Sequence, residues 1–101
     1  MRPIHIVQLD KPRPALILTR EIARPYLRSV TVATITSTVR GISTEVPLGA
    51  VNGLDHDCVV ACDNVLTVPR ANVGRHVGYL LPEQEPELAR ALQLAFDLEP
   101  W

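Results

Sequence analysis

Ser29-Val30-Thr31-Val32-Ala33-Thr34-Ile35-Thr36 is the stretch on which the reading of this chain turns. It is the most β-prone segment present: side chains branched at Cβ are stiff in a helix and fit a pleated sheet. Towards the N-terminus, Ala15-Leu16-Ile17-Leu18 is apolar at every position, as a central strand covered on both faces would be. Residues 4–9 alternate weakly and predict a further strand. Between these two, Asp10-Lys11-Pro12-Arg13-Pro14 reads as a turn, because each proline pushes its predecessor towards extended geometry. Residues 21–27 are a connection with room for one helical turn, interrupted by Pro25.

Towards the C-terminus, a loop holding Arg40 and Gly41 leads to a short strand at 44–48, whose Pro47 suits a sheet edge. Asn52-Gly53 and Asp55-His56-Asp57 form a turn region. Residues 58–68 predict a long strand interrupted near Asp63-Asn64, and 77–81 a last short one. The pattern then changes. Pro86 stands where a first-turn helix proline belongs, and Glu83, Glu85 and Glu87 cluster where the helix dipole favours anions. Leu88, Ala91, Leu92, Ala95 and Phe96 follow the spacing of an amphipathic helix, with Pro100 as its stop. The expected architecture is mainly β: about six short strands in a small, strongly bent sheet or barrel over 1–81, then a C-terminal α-helix at about 85–98. All 101 residues make a single domain, since the length leaves no room for two separate cores.

Composition excludes several classes. The formal net charge of −1 rules out a polybasic tail, yet it conceals an asymmetry. Residues 1–82 carry nine basic and six acidic side chains, and 83–101 carry one and five. Lys11 is the sole lysine, and arginine offers a fork suited to phosphate that lysine does not. The longest uncharged stretch, 29–39, is far short of the ~20 apolar residues of a membrane span. No secretory signal is visible, so a cytoplasmic protein is expected. Cys58 and Cys62 would lie about 13 Å apart in an extended segment, beyond disulfide reach. They also lack the second ligand pair of a zinc site, which leaves them as small buried hydrophobes.

On residue types alone the chemical candidates are modest. Arg13, between two prolines, projects a guanidinium from a rigid base and suits a phosphate fork, although most turn arginines are simply solvated. The hydroxyls of Thr34, Thr36, Ser37 and Thr38 gather at a strand end, where they can face phosphate oxygens or serve as ordinary strand residues. His5, His56 and His76 show no paired spacing, and a two-histidine nuclease would need two of them to meet across the fold. The Asp55-His56-Asp57 cluster reads as solvated turn charges rather than metal ligands.

Taken in order, five segments change the weight of these candidates. Arg13-Pro14 with its apolar strand, 32–38 ending in Ile35-Thr36-Ser37, Thr44-Glu45-Val46-Pro47-Leu48, the 57–68 strand with Asp63-Asn64 before Leu66-Thr67-Val68, and Val77-Gly78-Tyr79-Leu80 together resemble the MazF/PemK family of toxin endoribonucleases. The resemblance runs over nearly the whole chain. It implies an SH3-like, plasmid-maintenance-toxin barrel, a homodimer with an RNA groove along its interface, and sequence-specific, metal-independent cleavage of single-stranded RNA. No cofactor or metal is implied.

The positions matching the family's catalytic pair are Arg13 and Thr36. Lys11, Ser37, Thr38, Arg40 and Asn64 are the implied RNA contacts. Attack by the ribose 2′-hydroxyl would leave 2′,3′-cyclic phosphate and 5′-hydroxyl ends and inhibit translation and growth. Arg13 would stabilise charge on the phosphoryl oxygens and secondarily act as general acid. The resemblance also implies a MazE-like antitoxin, with which such toxins bind DNA, whose flexible segment lies in the RNA groove. Two departures from the family pattern, a short 10–14 turn and Leu66 in place of a charged residue, bear on which bases are read. The alternative is a CcdB-like, non-enzymatic gyrase poison on the same barrel, and a third reading is an RNA-binding barrel without catalysis.

Overall fold

A computed structural model describes residues 1–99. Six strands follow in chain order: β1 (Arg2–Gln8), β2 (Pro12–Ile17), β3 (Ser29–Thr36), β4 (Glu45–Leu48), β5 (Cys58–Pro69) and β6 (Val73–Leu80), then the helix α1 (Glu85–Ala95). All neighbouring strands are antiparallel, in the spatial order β4-β5-β3-β2-β1-β6.

Connectivity forces this sheet to curl. β5 and β6 are separated by β3, β2 and β1, which in a flat sheet would set them about 19 Å apart. The chain between Pro69 and Val73 is a single 3-10 turn, and even stretched it reaches only about 14 Å. The sheet therefore rolls up around Val7, Ala15, Ile17, Val30, Val32 and Val68. A second, larger core of Ile4, Leu16, Ala33, Ile35, Val46, Val60 and Leu80 lies on the opposite face. Helix α1 covers it with Leu88 and Ala91, each 2% exposed. β2 is thus buried on both faces, as its unbroken apolar run predicts, and β4 with Pro47 lies at an edge.

The curled sheet is fastened by one buried amide. Asn52 is 1% exposed and ends the 3-10 turn Ala50–Asn52. Its Oδ1 accepts the Gly49 N–H at 3.1 Å, while its Nδ2 donates to the Tyr79 carbonyl at 2.9 Å and to Gln84 Oε1 at 2.7 Å. The same Gln84 oxygen accepts the Leu81 N–H at 2.9 Å, so the segment after β4, the end of β6 and the approach to α1 share one network. Backbones meet closely here. A Cβ on Gly78 would overlap the Asn52 carbonyl, and one on Gly53, at φ 85°, would overlap that of Val77. Arg2 ties the other side of the helix start, bonding Glu85 at 3.1 Å and the Leu18 carbonyl at 2.7 Å.

Four expectations shift. Pro12, Arg13 and Pro14 belong to β2, and the turn is confined to the residues before Pro12. β5 is continuous; the interruption near Asp63-Asn64 is a bulge, since Ala33 faces Val65 while Thr34 faces Ala61. β6 begins at Val73 rather than 77, because Val73 pairs with Val7. The helix stops at Ala95, short of 98: Asp97 takes a left-handed φ of 56° and the Leu98 N–H closes back on the Gln93 carbonyl at 2.8 Å, a helix-ending motif. Phe96 consequently leaves the apolar stripe and is 55% exposed. The proposed stop at Pro100 lies outside the described residues.

Cys58 and Cys62 are free and buried, as expected. Burial, and then the Asp63 carboxylate, push the Cys62 thiol up to about 11, which keeps it inert.

Replacing Asn52 by Ala strands the Gly49, Tyr79 and Gln84 groups, at a cost of about 2–4 kcal/mol. Gly78→Ala drives backbones apart and should cost at least as much. Thermal unfolding followed by circular dichroism should show both midpoints falling by about 10 °C or more. Unchanged midpoints would mean that the sheet closes without this clasp.

Candidate active site

The opening between β2 and β3 originates in two missing backbone donors. β2 pairs with β3 through Ala15–Thr34, Leu16–Ala33 and Ile17–Val32, and just beyond, the Leu18 N–H donates to the Thr31 carbonyl at 2.8 Å. Backbone groups alternate sides along a strand, so the nitrogens of Pro14 and Pro12 also point at β3. Proline has no N–H to offer. The ladder ends at Ala15, and the strands splay.

Side chains of one strand face, two residues apart, run into this opening. On β3 the buried Val30 and Val32 are followed on the same face by Thr34 and Thr36; on β2, Ile17 and Ala15 are followed by Arg13. Continuing the β2–β3 register past its last pair sets Arg13 opposite Thr36. The apolar core thus gives way to a guanidinium and two hydroxyls where the strands part.

Two clefts flank this pair. One, of about 720 Å³, is lined by Leu9, Asp10, Arg40, Ile42, Thr44, Glu45, Asp63, Asn64 and Leu66. The other, of about 580 Å³, is lined by Lys11, Ser37, His56, Cys58 and Arg75 among others. Arg13, Ile35, Thr36 and Thr38 line both. All seven residues singled out in the sequence (Lys11, Arg13, Thr36, Ser37, Thr38, Arg40 and Asn64) therefore line one or both of these neighbouring clefts.

Arg13 is held by a fork-to-fork pair with Asp10, Nε to Oδ1 at 2.9 Å and Nη2 to Oδ2 at 3.1 Å. Of five guanidinium N–H groups, three stay available. The Asp10 bond holds the guanidinium firmly protonated, and Arg13 in turn holds the Asp10 carboxyl at about 2. The Thr36 hydroxyl accepts the Thr38 N–H at 3.1 Å, so its own proton is free to donate. The loop after β3 is organised by Glu45, whose Oε1 accepts the N–H groups of Arg40, Gly41 and Ile42 at 3.1, 2.8 and 3.3 Å.

The chain belongs to the PemK/MazF family of type II toxin–antitoxin toxins. The family model, described as a PemK-like, MazF-like toxin of a type II toxin–antitoxin system, matches residues 6–96. Endoribonuclease MazF3 of Mycobacterium tuberculosis is 64% identical over 99 residues, covering 98% of this chain and 96% of the relative. The M. tuberculosis toxin MazF-mt6 superposes with a TM-score of 0.97 at 63% identity, over 98% of this chain and 100% of that one. A mycobacterial endoribonuclease solved with its cognate antitoxin superposes at 0.86 and 26% identity, over 98% and 94% of the two chains. The PemK/MazF toxin described here is thus an endoribonuclease, and the gyrase-poison and non-catalytic readings give way to it.

Among the cleft residues that sequence reasoning missed are Asp10, Arg75 and His56. Asp10 was read only as a turn residue, and no spacing rule pairs it with Arg13 across a strand start. Arg75 and His56 reach the second cleft through the curl of β6 and the turn before β5. His56 bonds Asp55 through Nδ1 at 2.5 Å. His5 and His76, which sequence left apart, do meet, with ring centroids 5.2 Å apart, but neither lines the two clefts. Among the described residues no helix is long and apolar enough to cross a membrane.

The Asp10 carboxyl, with a folded value near 2 against an ordinary 3.8, contributes through its ion pair at pH values above about 4 and loses that contribution as pH falls towards 2. Carboxyl-carbon NMR should give its midpoint near 2. A midpoint near 3.8 would mean that the pair with Arg13 is not formed in solution.

Proposed function

We propose that this toxin cleaves single-stranded RNA at short base-specific sites without a metal ion, through attack of the ribose 2′-hydroxyl on the adjacent phosphate. The bond from phosphorus to the 5′-oxygen breaks, leaving a 2′,3′-cyclic phosphate and a 5′-hydroxyl. What supports the reading is the opposed pair of Arg13 and Thr36 at the mouth of the splayed strands. Three free N–H groups on one side and a free hydroxyl proton on the other suit a phosphorane whose equatorial oxygens gather charge.

The secondary role of Arg13 as general acid fits the geometry poorly. Asp10 strengthens the hold of the guanidinium on its protons, so electrostatic stabilisation is its part, and the proton given up by the 2′-hydroxyl is returned to the leaving 5′-oxygen through solvent water. Lys11 and Arg40, one in each cleft, suit the phosphates before and after the cut. Ser37, Thr38 and Asn64 supply hydrogen bonds to sugar and base edges.

The same reading takes residues 1–101 as one cytoplasmic toxin domain that dimerises, inhibits translation and growth, and is held by a MazE-like antitoxin. A flexible antitoxin segment would occupy the cleft in place of RNA, and the complex would bind DNA. Support comes from the mycobacterial relative solved with its cognate antitoxin.

Purified protein incubated with total RNA in EDTA should generate 5′-hydroxyl ends. Arg13→Ala and Thr36→Ala should each lower kcat/KM by about 10²–10³ at unchanged thermal stability. Arg13→Lys should recover little, because an ammonium cannot span two oxygens. Intact RNA with folded protein would sink the ribonuclease reading. Activity lost in EDTA would sink its metal-free form, and normal cutting by both alanine variants would remove the site assignment.

A further inference from the structure

The larger cleft presents a chemical problem for an enzyme that binds a polyanion: three carboxylates line it, those of Asp10, Glu45 and Asp63. Two are already engaged. Asp10 gives both oxygens to Arg13, and Glu45 accepts the backbone N–H groups of its own loop. Asp63 is different. Its Oδ2 accepts the Thr44 hydroxyl at 2.6 Å, and its Oδ1 accepts nothing from the described residues. It is exposed at the cleft, and Asn64 beside it directs no side-chain hydrogen bond to any described residue.

The backbone explains why two consecutive side chains serve one cleft. Along a regular strand, residues 63 and 64 would point to opposite faces. Here Ala61 faces Thr34 and Val65 faces Ala33, so residues 62–64 form a bulge without partners on β3. Bulges of this kind re-aim side chains. Cys62 turns into the core at 1% exposure, while Asp63 and Asn64 both line the cleft with Leu66 and Ile42 as apolar wall.

We infer that Asp63 and Asn64 form a base-reading site, beside the scissile phosphate, that selects cytosine or adenine over uracil. This rests on the ribonuclease reading above. A carboxylate repels phosphate and carbonyl oxygens but accepts from an exocyclic amine, as aspartate does with cytosine N4. Cytosine and adenine present a donor beside a ring-nitrogen acceptor on the Watson–Crick edge. The free Asp63 oxygen takes the donor, and the Asn64 amide N–H serves the acceptor. Uracil held in the same orientation places a carbonyl oxygen against the carboxylate, whereas guanine can still offer its N1–H and exocyclic amine. The apolar wall of Leu66 and Ile42 accommodates the base plane.

Asp63→Asn tests this with little change of shape. Its carbonyl oxygen still accepts from Thr44, but the group facing the base becomes a donor. Wild-type protein is first used on a randomised RNA library with 5′-hydroxyl end mapping. One position of the cleavage site should exclude uracil. In D63N the kcat/KM ratio of cytosine to uracil at that position should fall by about 10- to 100-fold, with other positions unmoved. Should D63N not cut, fluorescence anisotropy with oligonucleotides bearing 2′-deoxyribose at the scissile position reads the same ratio. Wild-type cleavage with an unchanged ratio in D63N, or with no position that excludes uracil, overturns the inference. Failure of wild-type protein to cut RNA at all overturns instead the reading on which it rests.

Discussion

Asn52 holds together three stretches of chain that no strand ladder joins. An amide removed from water costs free energy unless its donors and acceptor are matched, and here all are: Gly49, Tyr79 and Gln84 satisfy it. That requirement fixes the distance between the segment after β4 and the end of β6, which the two glycines make short enough. The larger core lies between the sheet and α1, whose approach is pinned through the same Gln84.

Where Asn52 closes one side of the molecule, Pro12 and Pro14 open the other. The chain builds its functional cleft by withholding hydrogen-bond donors rather than by adding a loop. Because the splay begins inside the sheet, Arg13 and Thr36 are carried on rigid strands, with backbones held by Val7 on one side and Val59 on the other. The Asp10 pair then fixes the direction of the guanidinium. Such preorganisation is what electrostatic stabilisation of a transition state requires.

The arginine-rich composition serves two purposes. Arg13, Arg40 and Arg75 border the clefts. Arg2, Arg24 and Arg70 are architectural. Arg2 bonds the Leu18 carbonyl, Arg24 that of Thr19 at 3.0 Å, and Arg70 those of Arg24 and Pro25 at 3.1 and 3.0 Å. The carbonyls at the ends of the 21–26 turn need donors that a strand ladder does not supply, and a guanidinium offers several at once. The preference for arginine over lysine is therefore in good part about backbone carbonyls.

Much of the fold was legible in the sequence because it depends on local chemistry. β-branched runs, the two-faced apolar stretch at 15–18, the edge proline and the 3.6-residue stripe of the helix each report their own segment. The resemblance to the MazF/PemK toxins placed Arg13 and Thr36 in one site, and the register of two strands brings them opposite each other. Other features were beyond local reading. Prolines look alike in a turn and at the unpaired side of a strand, so Pro12 and Pro14 were assigned to the turn. The helix end was misplaced because a left-handed Asp97 ends the helix before any proline is reached. By itself the sequence determined which segments are strands and which residue types face water, since propensity and periodicity act within a few residues. Only the tertiary structure decided that Asn52 is buried, that Asp10 clasps Arg13, and that a bulge turns Asp63 and Asn64 into the same cleft. Each of these depends on which distant backbone stands opposite, and that is fixed only when the sheet has curled and closed.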